Sequence, residues 1–214
     1  MYREKYNRLG RQYDILERPL EGFFEPLRER ALSFARGRTL EVGVGTGKTL
    51  PHYPQGVEIY AIDGSEKMLE VAKRRAKELR IDVKFYLTEA ENLPFPDAYF
   101  ETVVSSFTFC TVPHPERAMK ELHRVLKPGG RAIFLEHTKS DSTTINVLFL
   151  LPLNLFLKFL VEDSTLRETH VLVRRFFEVE LEETHHHGIV RLILARKASK
   201  RTFREKPFDR YMSF

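Results

Sequence analysis

Short apolar runs alternate with amphipathic stretches along the chain from residue 39 onward. The runs predict strands at residues 39–42, 57–62, 83–87, 102–106 and 132–136. Between them, apolar residues recur at helical spacing in "SEKMLEVAKRRAKELR" and "HPERAMKELHRVLK", with Ser65 and His114 near the starts of the predicted helices. Strands and helices that alternate in this way indicate right-handed βαβ crossovers and a mostly parallel sheet.

The pattern changes on both sides of this region. Residues 2–34 predict two helices that are separated at Pro19, and residues 177–183 and 189–196 predict a closing antiparallel hairpin around "THHHG". We therefore predict a single domain over residues 1–197. Within this domain we predict a helical cap at 1–36 and an apolar insertion at 139–175 before the sixth strand. A basic tail at 198–214 follows the domain.

The composition is that of an ordinary globular protein. The 214 residues suffice for one α/β domain with a single core, and 42% of them are hydrophobic and 30% charged. Cys110 is the single cysteine, which excludes an intrachain disulfide framework and suits a reducing cytosol. The start, "MYREKYNRLGRQYD", is charged where a signal peptide is apolar, so we expect a cytoplasmic protein. Abundant Lys, Arg and Glu without tryptophan favour a thermophilic source.

The net charge of +5 arises from 35 basic and 30 acidic residues that are mixed along the chain. The tail "KASKRTFREKPFDRYMSF" is a concentrated basic stretch. This distribution does not favour nucleic acid as a partner. It leaves open an acidic partner or peripheral contact with an anionic membrane surface.

Three glycines follow the first predicted strand in "LEVGVGTGKTL". Open α/β sheets bind ligands at this position, beyond the carboxyl ends of the strands, although tight turns use glycine too. The spacing of Gly43, Gly45 and Gly47 is G-x-G-x-G, whereas a dinucleotide fold has G-x-G-x-x-G. Glu41 beside the loop would repel a pyrophosphate but suits a ligand with ammonium and sulfonium charges. S-adenosylmethionine is such a ligand.

A second acid ends the second predicted strand in "EIYAIDGSEKML". Asp63 is in the position where an acid accepts hydrogen bonds from both hydroxyls of a ribose. The alternative is simple capping of the next helix, which Ser65 could supply instead. Because NAD sites use a similar acid, Asp63 indicates an adenosine without saying which one.

Four stretches resemble the class I S-adenosylmethionine-dependent methyltransferases, in the branch with quinone-biosynthesis and lipid methyltransferases: "LEVGVGTG", "AIDGSEKMLEVAK", "TEAENLPFPDAYFETV" and "HRVLKPGGR". They cover roughly residues 39–136. The resemblance implies an α/β, Rossmann-like fold with a seven-stranded, mostly parallel sheet, an antiparallel last strand and helices on both faces. "VEDSTLRETH" also resembles membrane-associated thiol and phospholipid methyltransferases.

The resemblance also implies a set of cofactor-binding residues. It places the three glycines under the methionine part, Asp63 on the ribose, Met68 under the adenine, and Glu89 at the adenine edge, where the family usually has Asp. The whole set is Tyr13, Glu41, Gly43, Gly45, Thr46, Gly47, Asp63, Gly64, Ser65, Met68, Glu89, Ala90, Glu91, Ser106, Phe107 and Phe109. Tyr13 is equally compatible with a core aromatic of the capping helix.

Methyl transfer from a sulfonium is an in-line displacement that alignment and exclusion of water can largely catalyse. Glu136 and His137 follow the fifth strand and are the candidate catalytic residues, although His137 also suits an ordinary strand-end histidine. We expect Cys110 to be a small buried residue. No metal is expected, because adjacent strand residues point to opposite faces and "THHHG" therefore predicts a solvated turn.

Residues 145–161 are the main indication of the methyl acceptor. Thirteen of these seventeen residues are Ile, Val, Leu or Phe, but Lys158 and the short length argue against a membrane span. A core helix, a lid over an apolar acceptor pocket and an interfacial helix stay open. We expect a small-molecule or lipid-like acceptor. A nucleotide-dependent oxidoreductase and a non-catalytic S-adenosylmethionine-binding module are the alternatives.

Overall fold

The computed structural model describes residues 21–138 and 168–199. These ranges form a seven-stranded sheet in the order β3-β2-β1-β4-β5-β7-β6. β7 is antiparallel to both of its neighbours, and the other pairings are parallel. The strands are β1 (Arg38–Val42), β2 (Glu58–Asp63), β3 (Val83–Leu87), β4 (Phe100–Ser106), β5 (Leu126–His137), β6 (Glu178–His185) and β7 (Val190–Arg196). The predicted Rossmann-like sheet with an antiparallel last strand is confirmed.

Helices cover both faces of the sheet. They are α1 (Glu21–Leu32), α2 (Glu66–Leu79), α3 (Pro115–Val125) and α4 (Thr169–Phe176), with a short 3₁₀ helix at Leu50–His52. α3 and α4 bury their apolar sides on one face, against a core that includes Phe100, Phe109 and Phe134. α1 and α2 cover the other face in two separate clusters. No helix within the described residues is long and apolar enough to cross a membrane.

α2 shows how the local sequence sets an element. Ser65 begins it, because the Ser65 Oγ accepts a hydrogen bond from the Met68 backbone N–H at 3.3 Å. Leu69, Ala72 and Ala76 then recur on one side and pack under the sheet. Arg80 ends the helix in the left-handed conformation with φ 58°. Ser65 thus supplies the cap that was the alternative role for Asp63.

Some predicted boundaries differ from the structure. The second predicted helix ends at Val125, and β5 begins at Leu126, because Leu126 is extended and pairs with Phe100 of β4. β5 is therefore longer than predicted, with an irregular register before Thr102 pairs with Arg131. β6 reaches His185, two residues beyond its predicted end.

Several predicted parts lie outside the described residues. They are most of the helical cap, the break at Pro19, the apolar run at 145–161 and nearly all of the basic tail. Of the predicted cap the structure describes α1, which contains Pro26 without ending there. Of the insertion it describes only the end, residues 168–175, nearly all of which belong to α4. The domain boundaries stay predictions.

Candidate functional site

A cleft opens at the carboxyl ends of β1, β2 and β4. The connection after β1 leads to β2 on one side, whereas β4 lies on the other side, so the strand order reverses here and leaves a crevice. The volume of the cleft is about 680 Å³, including solvent in its mouth. Its lining residues are Arg28, Glu41, Gly43, Val44, Gly45, Thr46, Lys48, Thr49, Asp63, Met68, Ser106, Phe107, Thr108 and Thr111.

The glycine loop forms the floor of the cleft. Gly43 has φ +69°, and a Cβ there would lie 2.3 Å from the Thr108 Oγ1, so the loop after β4 packs directly on this backbone. Gly45 has φ +55°, and a Cβ there would meet nothing within 4 Å. Gly43 is therefore required by packing. Gly45 instead leaves bare backbone facing the open cleft, where a ligand can lie against it.

Asp63 ties the glycine loop to the end of β2. Its Oδ2 accepts a hydrogen bond from the Gly45 N–H at 2.9 Å, and its Oδ1 accepts one from the Ser65 N–H at 2.8 Å. Burial raises the pKa of Asp63 to about 6, although these two bonds act in the opposite direction. Each carboxylate oxygen has a second lone pair, so Asp63 can still accept bonds from ligand hydroxyls.

Glu41 is fully enclosed beneath the loop. Its Oε1 accepts a hydrogen bond from the Thr49 hydroxyl at 2.5 Å, and its Oε2 accepts one from the Tyr53 hydroxyl at 3.0 Å. Burial raises the pKa of Glu41 to about 7, with a further rise from the charge of Asp63. The carboxyl group therefore loses its proton near neutral pH, and an arriving cation would favour the ionised form.

Two cations that sequence reasoning missed also line the cleft, Arg28 from α1 and Lys48 from the glycine loop. Glu21 accepts a hydrogen bond from each of them at 2.5 Å. The position of Arg28 was detectable, because Arg28 lies on the same helical side as the buried residues Ala31 and Leu32. A charged residue on a buried helix face indicates a polar partner or a ligand.

Phe107 forms one wall of the cleft, and the rings of Phe24 and His137 pack against it. The ring centroid of Phe107 lies 4.9 Å from that of Phe24 and 4.5 Å from that of His137. Phe107 has φ +54°, a conformation that costs a non-glycine residue of order 1 kcal/mol and that clusters at functional sites. Beside it, the buried Ser106 Oγ makes no hydrogen bond within the described residues. This side of the cleft thus combines an aromatic ring, an unsatisfied hydroxyl and the Arg28 guanidinium, which lies 5.7 Å from the Phe107 ring centroid.

Glu136 lies behind this wall rather than in it. Its carboxylate accepts hydrogen bonds from the Ser105 hydroxyl at 2.6 Å, the Thr108 N–H at 3.3 Å and the Phe109 N–H at 3.2 Å. These bonds hold the loop after β4, so the geometry is that of a positioning residue. His137 contacts the Phe107 ring beside the cleft. A catalytic role for either residue stays a prediction.

Eight of the predicted cofactor residues line the cleft: Glu41, Gly43, Gly45, Thr46, Asp63, Met68, Ser106 and Phe107. The remaining ones that the structure describes are not among the lining residues: Gly47, Gly64, Ser65, Glu89, Ala90, Glu91 and Phe109. Glu89 packs over Gly64, where a Cβ would lie 2.8 Å from the Glu89 Oε2. Tyr13 lies outside the described residues. Their contacts with a cofactor stay predictions.

The other candidate chemistry has structural explanations. Cys110 is buried, and its Sγ lies 3.4 Å from the Phe107 carbonyl oxygen. The histidines after β6 form the hairpin turn, with His186 and His187 both at positive φ, as the sequence predicted. Within residues 21–138 and 168–199, no group of His, Cys, Asp and Glu is arranged to hold a metal ion.

Comparisons with known sequences give a consistent result. A family model described as a methyltransferase domain matches residues 40–134. Phosphatidylethanolamine N-methyltransferase from Cereibacter sphaeroides is 41% identical over 107 residues, which are 49% of this chain and 53% of that protein. Demethylmenaquinone methyltransferase from Thermus thermophilus is 36% identical over 140 residues, which are 61% of this chain and 63% of that protein. The chain thus spans between 53% and 63% of the length of these relatives.

Solved structures share the fold over most of the chain. An S-adenosylmethionine-dependent methyltransferase from Thermotoga maritima has a TM-score of 0.70 and 25% identity, and the match covers 92% of this chain and 100% of that one.

Proposed function

Residues 40–134 match a methyltransferase-domain family model, and from this premise we propose that the chain is a class I S-adenosylmethionine-dependent methyltransferase that transfers the methyl group to a small apolar or lipid-like acceptor. The observation that carries the proposal is the cleft between the glycine loop and the Phe107 wall. One end of this cleft has acids and bare backbone, and the other end has aromatic rings.

The residues of the cleft fit the proposed cofactor. The cleft is lined by acids, bare backbone, two cations and an aromatic ring. Glu41 and Asp63 offer negative charge to the ammonium, the sulfonium and the ribose hydroxyls. Gly45 leaves room at the floor, and Ser106, whose buried Oγ makes no hydrogen bond within the described residues, also lines the cleft.

The chain supports the reaction mainly by alignment. When bound, S-adenosylmethionine would supply a methyl group on a positive sulfur, and transfer of this methyl to an acceptor lone pair would break the carbon–sulfur bond and leave its electron pair on sulfur. The Phe107 ring, which packs against Phe24, would exclude water from one side of the cleft. Glu136 holds the loop that carries Phe107. A hydroxyl or thiol acceptor must lose a proton, and His137 beside Phe107 is the group we propose to take it.

Three observations support an apolar acceptor. The Phe107 ring lines the cleft, and the rings of Phe24 and His137 pack against it. The sequence between β5 and α4 contains the apolar run at 145–161, which we propose as a lid. The two relatives are named for phosphatidylethanolamine and demethylmenaquinone, a lipid and a lipid-like quinone.

Calorimetry with S-adenosylhomocysteine tests the cofactor half of the proposal. We expect Gly45→Ala to weaken binding at least ~10-fold, because the new methyl group would occupy the floor of the cleft. Gly56→Ala is the matched control, since Gly56 also has positive φ and open space but does not line the cleft. Equal affinities of the two variants would contradict this assignment of the site. A melting shift with NAD alone would favour the oxidoreductase alternative.

Labelled S-adenosylmethionine tests the acceptor half. The panel contains phosphatidylethanolamine vesicles, a demethylated menaquinone, long-chain thiols and small polar amines. We expect label in the apolar members. Transfer to the polar amines alone would disprove the apolar acceptor and leave the methyltransferase assignment standing. Cofactor binding without transfer to any member would favour the non-catalytic module.

A further inference from the structure

Arg28 and Lys48 meet at the cleft through a shared acid. The Arg28 Nη1 lies 2.5 Å from the Glu21 Oε1, and the Lys48 Nζ lies 2.5 Å from the Glu21 Oε2. The two cationic side chains are only 5% and 12% exposed, whereas the Glu21 side chain is 34% exposed. The cations thus belong to the cleft wall, and the acid lies closer to solvent.

The bound cofactor needs such cations. Its amino-acid end carries an ammonium and a carboxylate, and the acids Glu41 and Asp63 suit the positive groups and the hydroxyls of the molecule but not its carboxylate. A carboxylate in the same enclosed cleft would be repelled by these acids and would lose its hydration unless a cation paired with it. Arg28 and Lys48 both line the cleft and carry that charge.

We propose that Arg28 and Lys48 bind the α-carboxylate of the cofactor, which takes the place that Glu21 occupies between them. This inference rests on the proposed function and names the residues that recognise one end of the cofactor. Glu21 is then an internal competitor that keeps the two cations paired until the cofactor carboxylate arrives.

The surroundings of Arg28 suit such an exchange of partners. Its guanidinium carbon lies 5.8 Å from the Phe24 ring centroid and 5.7 Å from the Phe107 ring centroid, so two aromatic rings keep it in place when the acid changes. The Glu21 side chain is 34% exposed, so it can turn towards solvent when another carboxylate takes its place between the cations. Burial raises the pKa of Glu21, but bonds from Lys48 and Arg28 outweigh this and keep its pKa below the ordinary value. The competitor is therefore charged at neutral pH.

Calorimetry with two ligands tests the inference. S-adenosylhomocysteine has the amino-acid end, and 5′-methylthioadenosine lacks it. We expect Arg28→Met to weaken the affinity for S-adenosylhomocysteine at least ~10-fold, since this ligand offers a carboxylate to Arg28. The affinity for methylthioadenosine, which has no carboxylate, should change by no more than about 2-fold. Glu21→Gln removes the competing carboxylate, so it should raise the affinity for S-adenosylhomocysteine several-fold and leave the affinity for methylthioadenosine unchanged.

Arg30→Met is the control, because Arg30 is on the same helix but pairs with Glu183 on an exposed surface. If Arg28→Met weakens the affinities for both ligands equally, or weakens neither, the inference is overturned while the proposed function stands. If Arg28→Met does not fold, Glu21→Gln decides: an unchanged or weaker affinity for S-adenosylhomocysteine overturns the inference. If neither ligand binds the unaltered chain, the proposed function itself fails.

Discussion

Glu41 shows how one buried carboxyl group couples stability to ligand charge. The protein surrounds it completely, and two hydroxyl groups are its hydrogen-bond donors. Burial raises its pKa from the ordinary 4.5 to about 7. Between these values the folded chain keeps a proton that the unfolded chain releases, so stability falls as pH rises through this window. A ligand ammonium near Glu41 acts in the opposite direction, because it favours the ionised form.

We therefore predict opposite pH dependences for stability and for binding. The free energy of unfolding should fall by up to ~3 kcal/mol between about pH 5 and pH 8 through Glu41, whereas the affinity for S-adenosylhomocysteine should rise. Urea unfolding and calorimetry at both pH values measure the two trends. In Glu41→Gln the free energy of unfolding should depend much less on pH. The remaining, smaller dependence comes from Asp63, whose pKa is raised from 3.8 to about 6. A variant with the unaltered slope would show that Glu41 is not its origin.

At the scale of elements, α3 positions a loop that has no helix of its own. The chain between β3 and β4 carries Glu89 and Ala90, and no helix is present in it. Arg124 at the end of α3 donates to the Phe95 carbonyl at 2.7 Å and to the Leu93 carbonyl at 3.0 Å. Glu121, one turn earlier, accepts from the Leu93 N–H at 2.9 Å. The last turn of α3 thus fixes the backbone of the loop through side-chain hydrogen bonds.

Loosening this contact should affect binding more than folding. We expect Arg124→Met to weaken the affinity for S-adenosylhomocysteine about 3- to 10-fold. The reason is that two charge-assisted hydrogen bonds to the loop backbone are lost at a partly exposed site. Amide exchange over residues 88–97 should accelerate, while the melting temperature changes little. Arg175→Met, which removes an exposed pair with Glu116, is the control and should do neither. Unchanged exchange in Arg124→Met would show that other contacts hold the loop.

At the scale of the whole molecule, charge is distributed unevenly along the sequence. The net charge is +5, and the tail at 198–214 contributes five basic residues against two acidic ones. If the acceptor is a lipid, the positive charge would hold the chain at an anionic bilayer. Each basic residue near such a surface contributes about 1 kcal/mol, and salt weakens this attraction.

Co-sedimentation with vesicles checks this expectation. The full chain should bind phosphatidylglycerol-rich vesicles at low salt and release them at high salt. A chain that ends at Ser199 should bind these vesicles less and keep its affinity for S-adenosylhomocysteine, because none of the residues that line the cleft is removed. Equal vesicle binding by both chains would place the membrane contact elsewhere, and binding that ignores salt would contradict an electrostatic origin.

The sequence predicted the sheet well because its evidence is local. Some features act over only a few residues: the apolar runs, the glycines of the loop and the serine cap of α2. They can therefore be recognised in the sequence without knowledge of the fold. The predictions were wrong where a partner from elsewhere decided the boundary. β5 begins at Leu126 because Phe100 pairs with it, and no local feature of the chain reveals that pairing.

The sequence by itself determined the order of the elements, the spacing of the glycine loop and the acids at the ends of the first two strands. Only the tertiary structure decided which side chains meet in the cleft. Arg28 comes from a helix before the sheet, and Glu136 binds backbone N–H groups of the loop after β4 rather than facing the cleft. The physical reason is that periodicity records which face of an element is buried, whereas partners across the sheet depend on how distant segments pack.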